Sequence, residues 1–520
     1  MSENVARKEV GYVVEVKNYL LTIKGLPSIR VNDIIVDDQG RKAVVHALSE
    51  SSVEALVLDN RPVNPGTEFF IDNSSAGLNL SYDLKGKVVN ALGEVVSQTS
   101  EDNGKPLRYQ DTPTELAFDV VAKNIDARDF IKKQLVTGLA LVDCILPVGK
   151  GQRELVYGPI HSGKGEFLRD IVISQKKQGN VCIYTAIGKP STFTSRLIRA
   201  LREADALDET IIVSALSDEP TPMITIAPST AFLIAEYFCN KGEDVVLILD
   251  DLGIHAKYIR ETALLSGQFP GRESYPGDIF YQHAHLMERS GSFNEKQGNG
   301  TITLFPVLET DVESFTNIIP TNLMGSTDGH FFFSTEMHTE GFKPSISILQ
   351  SVTRVGRMTH NNIQRELSTK LMDILSEYPR QQEYSRFGTQ MSKRTREILK
   401  KGRIIYELLN QNNTDLMPVS MQIMMLSLVF TSFFDPDDND VDMIRAERLN
   451  ILETLGKSKS FSGARDMIRK GEADLDSLIS EMEKGVEELN GQVQSGKKKD
   501  TDAEKEKEQN DKKAAEEDES

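Results

Sequence analysis

Residues 151–167 read GQRELVYGPIHSGKGEF. The apolar run Glu154–Tyr157 reads as a strand, and Glu166–Lys177 reads as a helix. Between them stand Gly158, four residues, then Gly163 and Lys164. A strand, a glycine-bounded loop and a helix in that order bring backbone N–H groups and one ammonium around a phosphate at a helix N-terminus. Gly158, Pro159, Ile160, His161, Ser162, Gly163, Lys164, Gly165 and Glu166 are therefore the candidate contacts for ATP or ADP with Mg²⁺. The residue after the lysine normally supplies a hydroxyl to Mg²⁺. Here it is Gly165, and Glu166 adds a carboxylate where phosphate should sit. Two readings stay open: a nucleotide site with weakened metal coordination, or a loop kept as architecture that binds nucleotide poorly.

Around this stretch, Val181–Ile187, Thr210–Ala215 and Val245–Leu249 are further strands, separated by the helical segments Thr192–Ala206 and Ser229–Lys241. That alternation predicts a mostly parallel sheet covered by helices. The run Val245–Leu249 ends in Asp250 and Asp251. In a phosphate-loop site, Asp250 is the candidate partner for water on Mg²⁺; the plainer alternative is a helix cap. Before this region, Gly11–Gly25, Ile34–Asp37, Lys42–Leu48, Val53–Leu58 and Glu68–Asp72 are short apolar runs split by turn residues, which predicts a small closed β-barrel. After it, Ile363–Tyr378, Arg394–Asn410 and Ser420–Phe433 carry helical periodicity. The expected organisation is a barrel over 1–85, a nucleotide-binding domain over 86–355, a helical domain over 356–495 and a charged, disordered tail over 496–520.

The chain has 520 residues with 60 Lys+Arg against 78 Asp+Glu, a formal charge of −18. That excludes a general coat for nucleic acid, whose affinity comes from clustered cations. Three separated cysteines exclude a disulfide framework and point to a reducing compartment. The longest apolar runs are strand-sized and the N-terminus lacks a signal-peptide core, so a soluble intracellular chain is expected.

Several blocks in order resemble the alpha subunit of F-type rotary ATP synthases: Thr137-Gly138-Leu139, Pro147 to Leu155, Cys182 to Gly188, Pro270-Gly271-Arg272-Glu273-Ser274-Tyr275-Pro276-Gly277-Asp278, Thr327-Asp328-Gly329 and Ser351-Val352-Thr353-Arg354-Val355-Gly356. The resemblance spans about 11–435, and the Pro270 block matches alpha rather than beta. It implies a barrel, a RecA-like central domain and a helical domain. It also implies a hetero-hexamer alternating with catalytic beta-type subunits around a gamma-type shaft, on the cytoplasmic face of the membrane and with no nucleic-acid partner. Such a subunit binds nucleotide without turning it over and lends an arginine to its neighbour; the matching position is Arg354. Ser351, expected one helical turn earlier, matches a position linked with activity.

The departures from the family pattern are Gly165 and Glu166, Lys189 where alpha subunits carry Gln and beta subunits a catalytic Glu, Lys343 for an arginine, and His338 for an aromatic near nucleotide. Of two glutamines near the adenine, Gln411 is retained. The family's long N-terminal helix is not matched. Divergent F-type-like ATPases of mycoplasmas, some tied to gliding or surface machinery rather than a proton-translocating membrane sector, fit these departures. The alternatives are a structural subunit of such a motor with a degenerate pocket, and a hexameric ATPase that translocates nucleic acid. His283 and His285 read as packing residues rather than a metal pair, and Met417–Met425 as helix core.

Overall fold

The computed structural model describes residues 9–71, 77–78, 80, 82–98, 114–115, 120–311, 316–386, 392–411, 416–434, 440–471 and 473–492. The tail reading for 496–520 lies outside them, as do Asn412 and Asn413. The chain divides into two compact units: 1–133 with 149–340 and 345–355, and 134–148 with 341–344 and 356–520.

In the first unit, among the described residues, six strands close a barrel in the order Val10–Lys17, Leu20–Gly25, Val53–Val57, Lys42–Leu48, Ile34–Asp37, Glu68–Ile71, and back to Val10–Lys17. The expected barrel is present. The stretch Gly11–Gly25 is a hairpin of two strands, turned at Asn18, whose φ of 58° is one that Asn tolerates. Paired apolar residues explain how the barrel packs. Leu21, Ile35, Val45 and Val57 fill its interior, while their neighbours Leu20, Ile34, Val44 and Leu56 join the apolar cluster of the adjoining sheet domain. Successive side chains on a strand face opposite ways, so each doublet serves two cores.

The sheet of this unit runs Val352–Thr353, Gly329–Phe332, Glu154–Gly158, Thr301–Glu309, Asp244–Asp250, Val181–Lys189, Thr210–Leu216, Lys87–Val89, Val95–Gln98, with Gly291–Ser292 on the side of Thr301–Glu309. From Gly329–Phe332 to Lys87–Val89 the pairings are parallel; the outer pairs are antiparallel. Val245 to Leu249 are essentially without solvent contact, as expected of a strand covered on both faces. The helix expected over Ser229–Lys241 starts earlier, at Thr221, and carries Pro228 within it. Pro222 near its start has its φ set for a helix, and burial of Ile224, Ala227, Ala231 and Phe232 offsets the bond lost at Pro228. This helix corrects the reading that apolar runs are only strand-sized. By length and composition it could cross a membrane, but 78% of its apolar window is buried inside the protein.

The second unit is helical, with helices Asn362–Arg386, Lys393–Leu409, Val419–Ser427, Asp440–Lys457, Ser462–Lys470 and Leu475–Glu483. Ser392 caps the second of these by accepting from Thr395 N at 3.1 Å. Met424 and Met425 are buried in the core, as their helical spacing predicts. A buried Asp143 is held by N–H donors from Thr137 at 2.7 Å, Gly138 at 2.8 Å and Gln422 Nε2 at 2.8 Å.

Candidate functional site

Two clusters form at opposite ends of the parallel strands in the first unit. The carboxyl end carries the phosphate loop. Gly158 ends its strand, and the helix Lys164–Lys177 opens on Gly163. At Gly163 φ is 89°, and a Cβ there would lie 2.8 Å from Ser345 Oγ and 2.9 Å from His338 Nδ1, so only glycine fits. The buried Lys164 ammonium donates to Gly158 O at 2.9 Å, Pro159 O at 2.5 Å and Ser162 Oγ at 3.3 Å. Burial lowers its pKa, and the carboxylates of Glu309, Asp251 and Asp250 act against that. Ser345 donates to Ser162 O, which ties the loop to the segment behind it. Gly165 is exposed, and a Cβ on it would meet nothing within 4 Å.

Beside the loop, Lys189 bonds Asp250 Oδ1 at 2.9 Å and stands 4.0 Å from Glu309. Tyr184 donates to Asp250 Oδ2 at 2.7 Å. Burial opposes the Lys189 charge, but Asp250, Asp251 and Glu309 outweigh it and the net shift is upward. A register shift between Ile187 and Lys189 leaves Gly188 unpaired at φ 60°, a bulge that re-aims the lysine. Asp251 takes the capping role: it accepts from Gly253 N and Ile254 N at the start of Leu252–Leu265 and from Glu309 N at 3.0 Å. Its burial lifts its pKa to about 6, against the pull of Lys189.

The amino end carries Arg354. Val352–Thr353 pairs antiparallel with Gly329–His330, so Ser351 and Arg354 flank an extended segment, not a helical turn. Ser351 Oγ accepts from Phe332 N at 3.0 Å and donates to Ser347 O at 2.7 Å, which locks that edge. Arg354 N donates to Asp328 O at 3.1 Å, and its exposed guanidinium reaches Thr327 O at 3.4 Å. Asp328 is itself gripped by both arms of Arg153, at 3.0 and 2.8 Å. Gly329 is needed because a Cβ would fall 2.4 Å from both Glu154 Oε2 and Val352 O.

Lys343 and Gln411 lie in the second unit, where Gln411 N donates to Lys343 O at 2.8 Å. The Gln411 amide is buried, accepting from Ala140 N at 2.5 Å and donating to Gly138 O at 3.2 Å. His283 meets His255 at 3.4 Å rather than His285, whose ring stacks on Tyr281. Burial pushes His255 down to about 4 and His283 to about 3.

Residues 138–353 match the ATP synthase alpha/beta family, nucleotide-binding domain, and residues 361–489 match the ATP synthase alpha/beta chain, C terminal domain. The chain belongs to this family. It is similar to the ATP synthase subunit alpha of Dictyoglomus turgidum, at 34% identity over 82% of each chain. It is 34% identical to that of Metamycoplasma arthritidis over 79% of this chain and 76% of the relative. The mitochondrial alpha subunit of Dictyostelium citrinum is 31% identical over 88% and 87%. The resemblance read from the sequence thus holds, and the chain is a divergent F-type alpha subunit.

Within this alpha-type frame, sequence reasoning missed Tyr184 and Glu309. The strand Thr301–Glu309 carries the same signal as Val245–Asp250, an apolar run ending in an acid. The fit to Mg²⁺ is poor: Gly165 brings no hydroxyl, and both Asp250 oxygens are engaged by Lys189 and Tyr184.

Proposed function

We propose that this chain is the non-catalytic member of an F-type or F-type-like rotary ATPase, alternating with catalytic beta-type subunits around a gamma-type shaft, and that Arg354 serves a neighbour's nucleotide. The carrying observation is that Arg354 and the chain's own loop lie at opposite ends of the sheet. Thr353 is level with Gly329, and Gly329 with Glu154, the first residue of the strand whose last residue opens the loop. Four steps of about 3.3 Å put roughly 13 Å between those levels. The guanidinium turns to Thr327 O, which precedes Asp328 and lies farther from the loop. Ligands of parallel sheets bind at the carboxyl ends of the strands, so an exposed arginine at the amino end is misplaced for its own chain's phosphates. Its exposure leaves it available to a partner's. A planar, permanently charged fork suits γ-phosphate oxygens and the charge that develops on them.

Ser351 acts as a positioning residue, holding the edge strand that presents Arg354. Residues 158–166 would hold this chain's own nucleotide. Gln411 is left out of that set because its amide is committed to backbone. Lys189 supports the non-catalytic reading: an ammonium paired with Asp250, its pKa raised, does not accept a proton from water. The domain limits are proposed near residues 85 and 355, and the assembly is placed peripherally on the cytoplasmic face of the membrane.

Reconstitution with a beta-type partner tests this. ATP turnover should need both chains, and the purified chain alone should show none. Hydrolysis by the chain alone, or failure to assemble with any beta-type subunit, rejects the assignment.

A further inference from the structure

We propose that Lys189 stands in for a divalent cation, so that the phosphate loop of this chain holds a nucleotide's polyphosphate without Mg²⁺. The inference rests on the reading that the loop binds nucleotide, and it specifies in what form. A loop of this kind ordinarily meets a metal held by a hydroxyl after the lysine and by a strand-ending aspartate. Neither is offered here. Gly165 has no side chain, and the space a side chain would enter is open to 4 Å. Asp250 is 5% exposed, with Lys189 at 2.9 Å on one oxygen and Tyr184 at 2.7 Å on the other.

A metal ion entering beside Asp250 would have to expel the Lys189 ammonium or sit next to it, and like charges in a poorly solvated pocket repel strongly. The lysine, in turn, is built in. It is 9% exposed, aimed by the bulge at Gly188, and within reach of Asp250 and Glu309. An ammonium has three donors. Asp250 takes one and Glu309 stands at 4.0 Å, so capacity remains for a phosphate oxygen. Glu309 is level with Gly158 at the mouth of the loop, so Lys189, 4.0 Å from Glu309, is a second fixed cation near the loop where the metal's charge would otherwise be needed.

Calorimetric titration of the full chain with ATP, in excess EDTA and in excess Mg²⁺, tests this. The two dissociation constants should agree within about threefold. Tightening by about tenfold or more in Mg²⁺ overturns the inference and leaves the nucleotide reading intact. No binding under either condition overturns both. Lys189→Gln should weaken binding in EDTA by about tenfold or more, since it removes a charged donor, and Lys189→Arg should restore it. Thermal melts establish that both variants fold. If Lys189→Gln folds and binds metal-free ATP as tightly as the parent, the lysine is not the substitute cation.

Discussion

Replacing Arg354 by alanine should separate stability from turnover by several kcal/mol. The guanidinium is exposed, and its one hydrogen bond among the described residues is the 3.4 Å contact to Thr327 O; the backbone bond to Asp328 O survives in alanine. One buried and one half-buried neighbour, Glu154 and His330, feel the charge. Burial raises the pKa of Glu154 well above the usual range, and Arg354 pulls it partly back; burial lowers that of His330, and Arg354 lowers it further. Removing the arginine lets each relax the other way. Without the arginine Glu154 moves further toward its uncharged form, so losing the cation does not favour a buried ion there. The expected cost to folding is under about 0.5 kcal/mol, as for an ordinary surface change. A trans-acting arginine is worth about 10³–10⁵ in rate, or about 4–7 kcal/mol in the transition state. The assay is ATP turnover by the complex reconstituted with a beta-type partner, alongside gel filtration to count assembled rings. Rings should form normally and turnover should collapse. Turnover within about threefold of the parent, in intact rings, would refute the assigned role.

Ser351→Ala leaves the buried Phe332 N–H without its hydroxyl partner, so denaturant unfolding should show a loss of about 1–3 kcal/mol. Turnover should fall less than in Arg354→Ala, because the guanidinium itself remains. Gly163→Ala must carry φ 89° and a Cβ 2.8 Å from Ser345 Oγ, costing about 1–2 kcal/mol for the backbone alone. Calorimetry should show ATP binding lost while circular dichroism keeps the helix and strand content. His283 has a folded pKa of about 3, below its unfolded value, so its contribution to stability is present above about pH 6.5 and is lost as pH falls toward 3. Between pH 7 and 5 the parent should lose about 2 kcal/mol more than His283→Gln, read by urea unfolding.

The barrel and the sheet were legible because their signals are local. Turn residues bracket Ile34–Asp37 and Lys42–Leu48, and both strands fall where the spacing predicts. The hairpin inside Gly11–Gly25 was harder to see, since Asn18 and Tyr19 interrupt an otherwise continuous run by only two residues. The helix Thr221–Asn240 begins eight residues before the expected Ser229; a proline such as Pro228 ordinarily ends such a segment, and tertiary burial keeps this one whole. Site residues followed the same division. Gly158, Gly163 and Lys164 are set by loop geometry and could be found from spacing. The pairing of Lys189 with Asp250 joins residues 61 positions apart. It depends on a one-residue bulge that no spacing rule reveals.

Why can one end of a sheet change while the other keeps its form? The departures from the family pattern in this unit, Gly165, Glu166, Lys189 and His338, sit at or after the carboxyl ends of the strands. Arg153, Glu154, Asp328, Gly329 and Arg354 sit at the amino ends, in a tight arrangement where a single added Cβ at Gly329 would meet both a carboxylate and a carbonyl. Between them lie fully buried strands such as Leu155–Val156 and Val245–Leu249. A core packed to that density is stiff and holds the two ends in fixed register whatever side chains line the loop. The loop's chemistry is then free to drift toward a metal-free pocket without moving Arg354. An arginine working for a neighbour would need only that register, and not the nucleotide in its own chain.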